Sequence, residues 1–266
     1  MENYFDIKYV KKEKKNHVEN KNELILDKFK PRLFKDFTFQ KEYANKLCNV
    51  LKSKDNIMNL FLYGGNGVGK YVLAKSYINE YLDLIDENIN LKICKTDTKE
   101  LEYHRFKYHI ELIIYKYNFN DQNLINHFFK EICLNSNDQC LKKNIVLIKN
   151  IHLIRKENLF LFKNNIEKYQ TNNIFIFISL KPIPLILKGY FCPLRINKLP
   201  KIEMIKLANI LLKELNITKF KKKDIDDLAE NCNGNIVLLK NNIENSYIYN
   251  DYYFIGNNNE YNFIFI

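Results

Sequence analysis

The chain has 266 residues, 46% hydrophobic and 27% charged, which suits one large or two modest globular domains and excludes a disordered chain. No apolar run reaches the roughly 20 residues needed to span a bilayer, and the N-terminal MENYFDIKYVKKEKK lacks the apolar segment of a secretory signal. The net charge of +11, from 42 Lys+Arg against 31 Asp+Glu, has two readings: a polyanionic partner such as nucleic acid, or the lysine- and asparagine-rich skew of an AT-biased genome.

The residue types refine both readings. Arginine occurs only at Arg32, Arg105, Arg155 and Arg195, so lysine could neutralise phosphate but bidentate base reading has little to work with. Six cysteines (Cys48, Cys94, Cys133, Cys140, Cys192, Cys232) include no CxxC pair and read as reduced thiols of an intracellular protein.

Residues 1–22 are polar and lysine/asparagine-rich and are expected to form a flexible leader. Residues 41–52 place Tyr43, Leu47, Val50 and Leu51 on one helical face. Asn59–Tyr63 is a short apolar run closed by glycines, hence a buried strand, and helical spacing runs from Lys70 to Leu84. Leu91–Cys94 reads as a strand, and 96–121 as an insert-like stretch containing the β-rich HIELIIY. Residues 122–134 and 156–169 read as helices, while Ile145–Ile148 and Ile174–Ile178 are the continuous apolar runs of parallel strands covered on both faces. After Pro200, segments 201–215, 222–231 and 235–245 are helical, and the Tyr/Phe/Asn-rich end has no helical period. The expected organisation is an α/β domain with a parallel sheet at 23–200, a small helical domain at 201–245 and a tail at 246–266.

The segment that carries chemistry is Gly64-Gly65-Asn66-Gly67-Val68-Gly69-Lys70-Tyr71. It fits GxxxxGK between an expected strand and an expected helix. Glycines allow the tight turn, converging N–H groups and the helix N-terminus attract phosphate, and Lys70 reaches the outer phosphates. The Ser or Thr that normally holds magnesium is Tyr71. After the strand Ile145–Ile148, the positions for acidic residues hold Lys149, Asn150 and, nearby, His152. ATP is the expected ligand, weakly held. The residues give magnesium and hydrolysis little chemical support, and no residue is assigned as catalytic.

The order of these elements resembles the AAA+ clamp-loader family, namely the small subunits of replication factor C. Lys28-Phe29-Lys30-Pro31 is similar to its Lys-Tyr-Arg-Pro signature, with Leu33 and Phe37 in similar spacing. LFLYGGNGVGK is similar to its strand and phosphate loop. Tyr108-His109-Ile110-Glu111 resembles the Tyr-His-Leu-Glu of the subunit numbered 3, and Ile166-Glu167-Lys168-Tyr169 its Met-Glu-Lys-Tyr. Leu180-Lys181-Pro182-Ile183-Pro184 through Arg195-Ile196 tracks the stretch around Ser-Arg-Cys. The resemblance covers about residues 24–245. It implies an AAA+ P-loop domain followed by a helical lid.

The departures from the family are equally informative. Sensor 1 falls near Ser179, Tyr190-Phe191-Cys192 takes the place of the arginine finger, and Gly234-Asn235-Ile236-Val237 replaces the sensor-2 Gly-Asp-Leu-Arg. The family's C-terminal collar, which closes its ring, has only about twenty residues to occupy after the lid. What the resemblance implies is a subunit that is non-catalytic in its own site. Its expected partners are other clamp-loader subunits, the sliding clamp and primed double-stranded DNA, with no membrane, in the nucleus or another replication compartment. The alternatives are an active P-loop ATPase of replication-initiator or helicase-loader type, and an interaction module independent of nucleotide.

Overall fold

The computed structural model describes residues 29–52, 57–83, 90–95, 100–107, 109–115, 121–134 and 143–249. The expected leader, residues 250–266 of the expected tail, Lys28, Tyr108 and Cys140 lie outside these. Their architecture is a seven-stranded sheet covered on both faces, followed by three helices with a core of their own.

In chain order the elements are α1 (Lys41–Lys52), β1 (Asn59–Gly64), α2 (Lys70–Leu82), β2 (Asn90–Lys95), β3 (Glu100–Arg105), β4 (His109–Ile113) and α3 (Gln122–Leu134). They continue with β5 (Asn144–Lys149), α4 (Lys156–Tyr169), β6 (Asn173–Ser179), β7 (Phe191–Ile196), α5 (Lys201–Glu214), α6 (Lys222–Cys232) and α7 (Ile236–Tyr249). The spatial order is β2-β3-β4-β5-β6-β1-β7. From β4 to β7 all neighbours are parallel, while β2 and β3 add antiparallel pairs at one edge. Strand β1 therefore lies between β6 and β7, remote in sequence from both. Its carboxyl end is the kind of crevice where open α/β sheets bind ligands.

The continuous apolar runs follow from burial on two sides. Alternate residues of each strand point to opposite faces. Phe61, Ile110, Leu112, Val146, Ile148, Phe175 and Phe177 join α3 and α4 in one core. Leu60, Leu62, Ile145, Leu147, Ile174, Ile176 and Ile178 meet α1 and α2 in the other. Leu199, Met204, Ala208, Leu211, Leu228, Leu239 and Ile243 make the third core, within α5–α7.

Two readings change, and one strand is added to them. Within the stretch 96–121, residues 100–105 and 109–113 belong to the main sheet: β4 is an inner strand, paired with β5 from His109↔Ile145 to Ile113↔Lys149. The edge strand β7 carries a proline at Pro193 and alternates in burial, so it shows no continuous apolar run. Helix α7 continues to Tyr249, four residues past the expected lid boundary. Among the described residues no helix is long and apolar enough to cross a membrane, and Cys48, Cys133, Cys192 and Cys232 are free thiols.

Candidate functional site

The turn from β1 into α2 is built by glycines in backbone conformations that residues with a side chain rarely adopt. Gly64, Gly67 and Gly69 have φ of 149°, 64° and 90°. Helix α2 opens at Lys70, immediately after Gly69, so its first N–H groups face the loop. Gln40 Nε2 donates to Val68 O at 3.0 Å and holds the loop from outside. The Lys70 ammonium folds back and donates to Gly64 O at 2.9 Å and to Gly65 O. Burial pushes its pKa down to about 8.

The lid closes against the same loop. Ile236 N, at the start of α7, donates to Gly67 O at 2.9 Å. A Cβ on Gly67 would lie 1.6 Å from Asn235 Oδ1, so only glycine admits this approach. Asn235 Oδ1 also accepts from Leu238 N at 3.0 Å and so caps α7. A cavity of about 290 Å³ lies between the loop, the segment 29–40 and the lid. Its walls include Phe29, Pro31, Val72, Leu207 and Ile236, an apolar lining suited to a flat base or similar group.

Beside the loop, the strand ends hold an ion cluster centred on Glu111, whose side chain is 3% exposed. By strand alternation His109 and Glu111 both point toward α2, as does Lys149 at the end of β5. On α2, Tyr71 and Lys75 lie one turn apart and reach the same carboxylate. Tyr71 OH donates to Glu111 Oε2 at 3.0 Å. Lys75 Nζ lies 3.0 Å from Oε1 and Lys149 Nζ 3.1 Å from Oε2. His109 Nε2 lies 3.2 Å from Oε1 and 2.8 Å from Lys75 Nζ. Lys149 Nζ also sits 3.6 Å from the centre of the Tyr71 ring, a cation–π contact.

The electrostatics follow from this packing. Burial alone would raise the Glu111 carboxyl, but the His109 hydrogen bond and the Lys149 and Lys75 ammoniums outweigh it and hold the group well below its ordinary value. Burial, then Glu111, pushes the Tyr71 phenol up. Burial lowers Lys149 despite its pairing with Glu111.

These residues do not fit magnesium. The hydroxyl next to Lys70 belongs to Tyr71 and is spent on Glu111, the strand-end position for a metal-binding acid is an ammonium, and Glu111 is shared by two lysines. Among the described residues no group of three or more His, Cys, Asp or Glu is placed to hold a metal ion.

The other positions carried over from the resemblance have the following surroundings. Ser179 Oγ is held by its own turn, donating to Lys181 O and accepting from Lys181 N at 2.9 Å. His152 lies in a short 3-10 turn with Nδ1 3.4 Å from Leu180 N, and burial and the nearby Lys181 and Lys70 lower its pKa. Phe191 is 6% exposed, with its ring 4.5 Å from that of Phe177. The position that the resemblance gives to the finger is therefore occupied by a core side chain. Val237, at the sensor-2 position, lines the cavity, as does Lys240 one turn later.

The sequence reading quoted Glu111 only as part of a resemblance and missed its role. The available signal was a lone carboxylate in an apolar strand, which requires a buried cation, and Lys149 ends the neighbouring apolar strand.

No protein-family model matches the sequence, and no curated protein matches it. Solved structures do. The Thermotoga maritima RuvB Holliday junction branch migration motor superimposes with a TM-score of 0.55 and 13% identity, over 85% of this chain and 69% of that one. Domain III of the Thermotoga maritima replication initiation protein DnaA gives a TM-score of 0.50 and 18% identity, over 82% and 88%. At such identities the likeness is one of fold, and the fold is that of the AAA+ P-loop ATPase domains, an α/β sheet domain followed by a helical lid.

Proposed function

We propose that this chain is a nucleotide-binding AAA+ subunit of a DNA-handling assembly that does not turn over ATP in its own site. The observation that carries the reading is the contrast within one site: a glycine-built phosphate loop with its lysine, beside strand ends whose acidic positions are basic and whose hydroxyl is engaged. In this reading Gly64 to Tyr71 hold the phosphates, with Lys70 the charged contact, and the apolar cavity takes the base. Holding phosphate needs amides and a cation, whereas hydrolysis also needs a group that positions and activates a water, and Glu111, the carboxylate beside Tyr71, is already paired with Lys75 and Lys149.

The finer assignment is a replication factor C-like subunit that helps load a sliding clamp onto primed DNA, in the nucleus or another replication compartment. Its support is the ordered series of motifs from Phe29 to Ile236, the +11 charge and a fold shared with the RuvB branch migration motor and domain III of the replication initiation protein DnaA. The competing reading, an active ATPase of initiator type, shares the fold but needs a free carboxylate near the loop, and Glu111 is committed to two lysines. ATP binding and hydrolysis measured separately decide between them. The expected result is binding that Lys70→Ala removes and turnover no greater than that variant's. Steady turnover abolished by Lys70→Ala would overturn the non-catalytic reading. Failure to join, or alter, a clamp loader reconstituted from its other subunits and clamp would overturn the finer one.

A further inference from the structure

Resting on the nucleotide-binding reading, we propose that this site takes ATP without a divalent cation, the Lys149 ammonium supplying the positive charge that a metal ion would otherwise bring. Three observations carry it. The first is position: Lys149 ends β5, and its Nζ lies 3.6 Å from the ring of Tyr71, the residue directly after Lys70. The second cation therefore sits against the side chain of the residue that follows Lys70 on α2.

The second observation is charge. Lys75 and Lys149 share one carboxylate, at 3.0 and 3.1 Å, which leaves one positive charge in excess, and Lys70 adds another. This surplus stands in a largely buried setting, where a polyphosphate gains more from it than it would in water. The third is exclusion. The Tyr71 hydroxyl and the Glu111 carboxylate are bound to each other at 3.0 Å, so a metal ion entering here would have to break a buried ion cluster before finding a ligand. A divalent ion would also meet two ammonium groups at short range, which repel it.

Calorimetric titration of the wild-type protein with ATP, once with magnesium and once with EDTA, tests this without any variant. The expected result is the same affinity in both, within about threefold, a difference too small for loss of a directly coordinated ion. Binding that disappears in EDTA overturns the inference and leaves the nucleotide-binding reading intact. No binding in either condition removes that reading, and the inference falls with it. A second arm uses Lys149→Met, which keeps the stem and deletes the charge: affinity in EDTA should fall about tenfold or more, whereas unchanged affinity in a folded variant overturns the role given to Lys149. The double variant Tyr71→Thr with Lys149→Asp restores a hydroxyl and an acid, and should make ATP binding depend on magnesium. Metal-independent binding in that variant would show that these two positions do not set the metal requirement.

Discussion

The glycine loop after β1 and the Glu111 cluster on β4 and β5 both meet the first turns of α2 but are made of different chemistry. The loop works through its backbone. Gly67 and Gly69 provide the turn, α2 provides the N–H groups, and one side chain, Lys70, is needed. The strand ends work through side chains at single positions, and there a change of identity is a change of function. Lys149 and Tyr71 stand where the resemblance puts an acid and a small hydroxyl, and both engage Glu111. A buried charge without a partner is costly, so Glu111 and the two lysines depend on one another for the sheet to remain folded. In the proposed reading the two regions carry separate capacities: the backbone-built loop holds phosphate, and the side chains of the cluster decide whether the site can turn over.

The sharpest break in that comparison comes from the finger position. If Phe191 were a surface residue of a lapsed interface, Phe191→Arg would be tolerated. Because it is buried between Phe61 and Phe177, the guanidinium would enter an aromatic core without a partner. The expected loss exceeds about 4 kcal/mol, read as a lower denaturation midpoint or as insoluble protein. Next in size is Glu111→Gln. Removing the shared counter-charge leaves Lys75 and Lys149 facing each other, with an expected cost of about 3 kcal/mol or more. The same group sets an acid limit. Its carboxyl is held below the ordinary value of 4.5, so its contribution is complete above that pH and is lost as pH falls. Wild type should therefore lose more stability than Glu111→Gln on acidification below that point, and equal losses would mean that the cluster contributes nothing.

Most of the fold was legible because the strands buried on both faces read as unbroken apolar runs and the helices kept their period. Strand β7 was hidden because an edge strand with Pro193 and an exposed Arg195 carries neither signal. Strand β4 was visible as β-rich sequence, but its place depended on pairing with β5, a contact between residues more than thirty apart in the chain. The loop of the candidate site was legible because its glycines act locally. The Glu111 cluster was not, since Tyr71, Lys75, His109 and Lys149 come from three elements and meet only when α2 lies across the sheet. The lid contact was hidden for the same reason: nothing near Gly67 in sequence announces Asn235.

The smallest effect isolates the loop itself. Lys70 is held near its own carbonyls with its pKa lowered by burial to about 8 from an ordinary 10.5, and this one shift predicts two trends of opposite sign. Phosphate is attracted by the ammonium form, so ATP affinity should be flat below about pH 8 and decline above it, by at most tenfold per pH unit, as the free site loses its proton. Stability of the nucleotide-free protein should move the other way. Between about 8 and 10.5 the unfolded chain holds the proton that the folded one has released, so the part of stability that Lys70 controls rises with pH. Both trends are measured as differences from Lys70→Met, which removes the titrating group and keeps most of its apolar stem, so that tyrosines and other lysines titrating in the same range cancel. An affinity that stays level through pH 9, or a stability difference that falls across this window, would mean that the loop does not hold Lys70 as the structure places it, and that the backbone-built half of the site has been lost along with the rest.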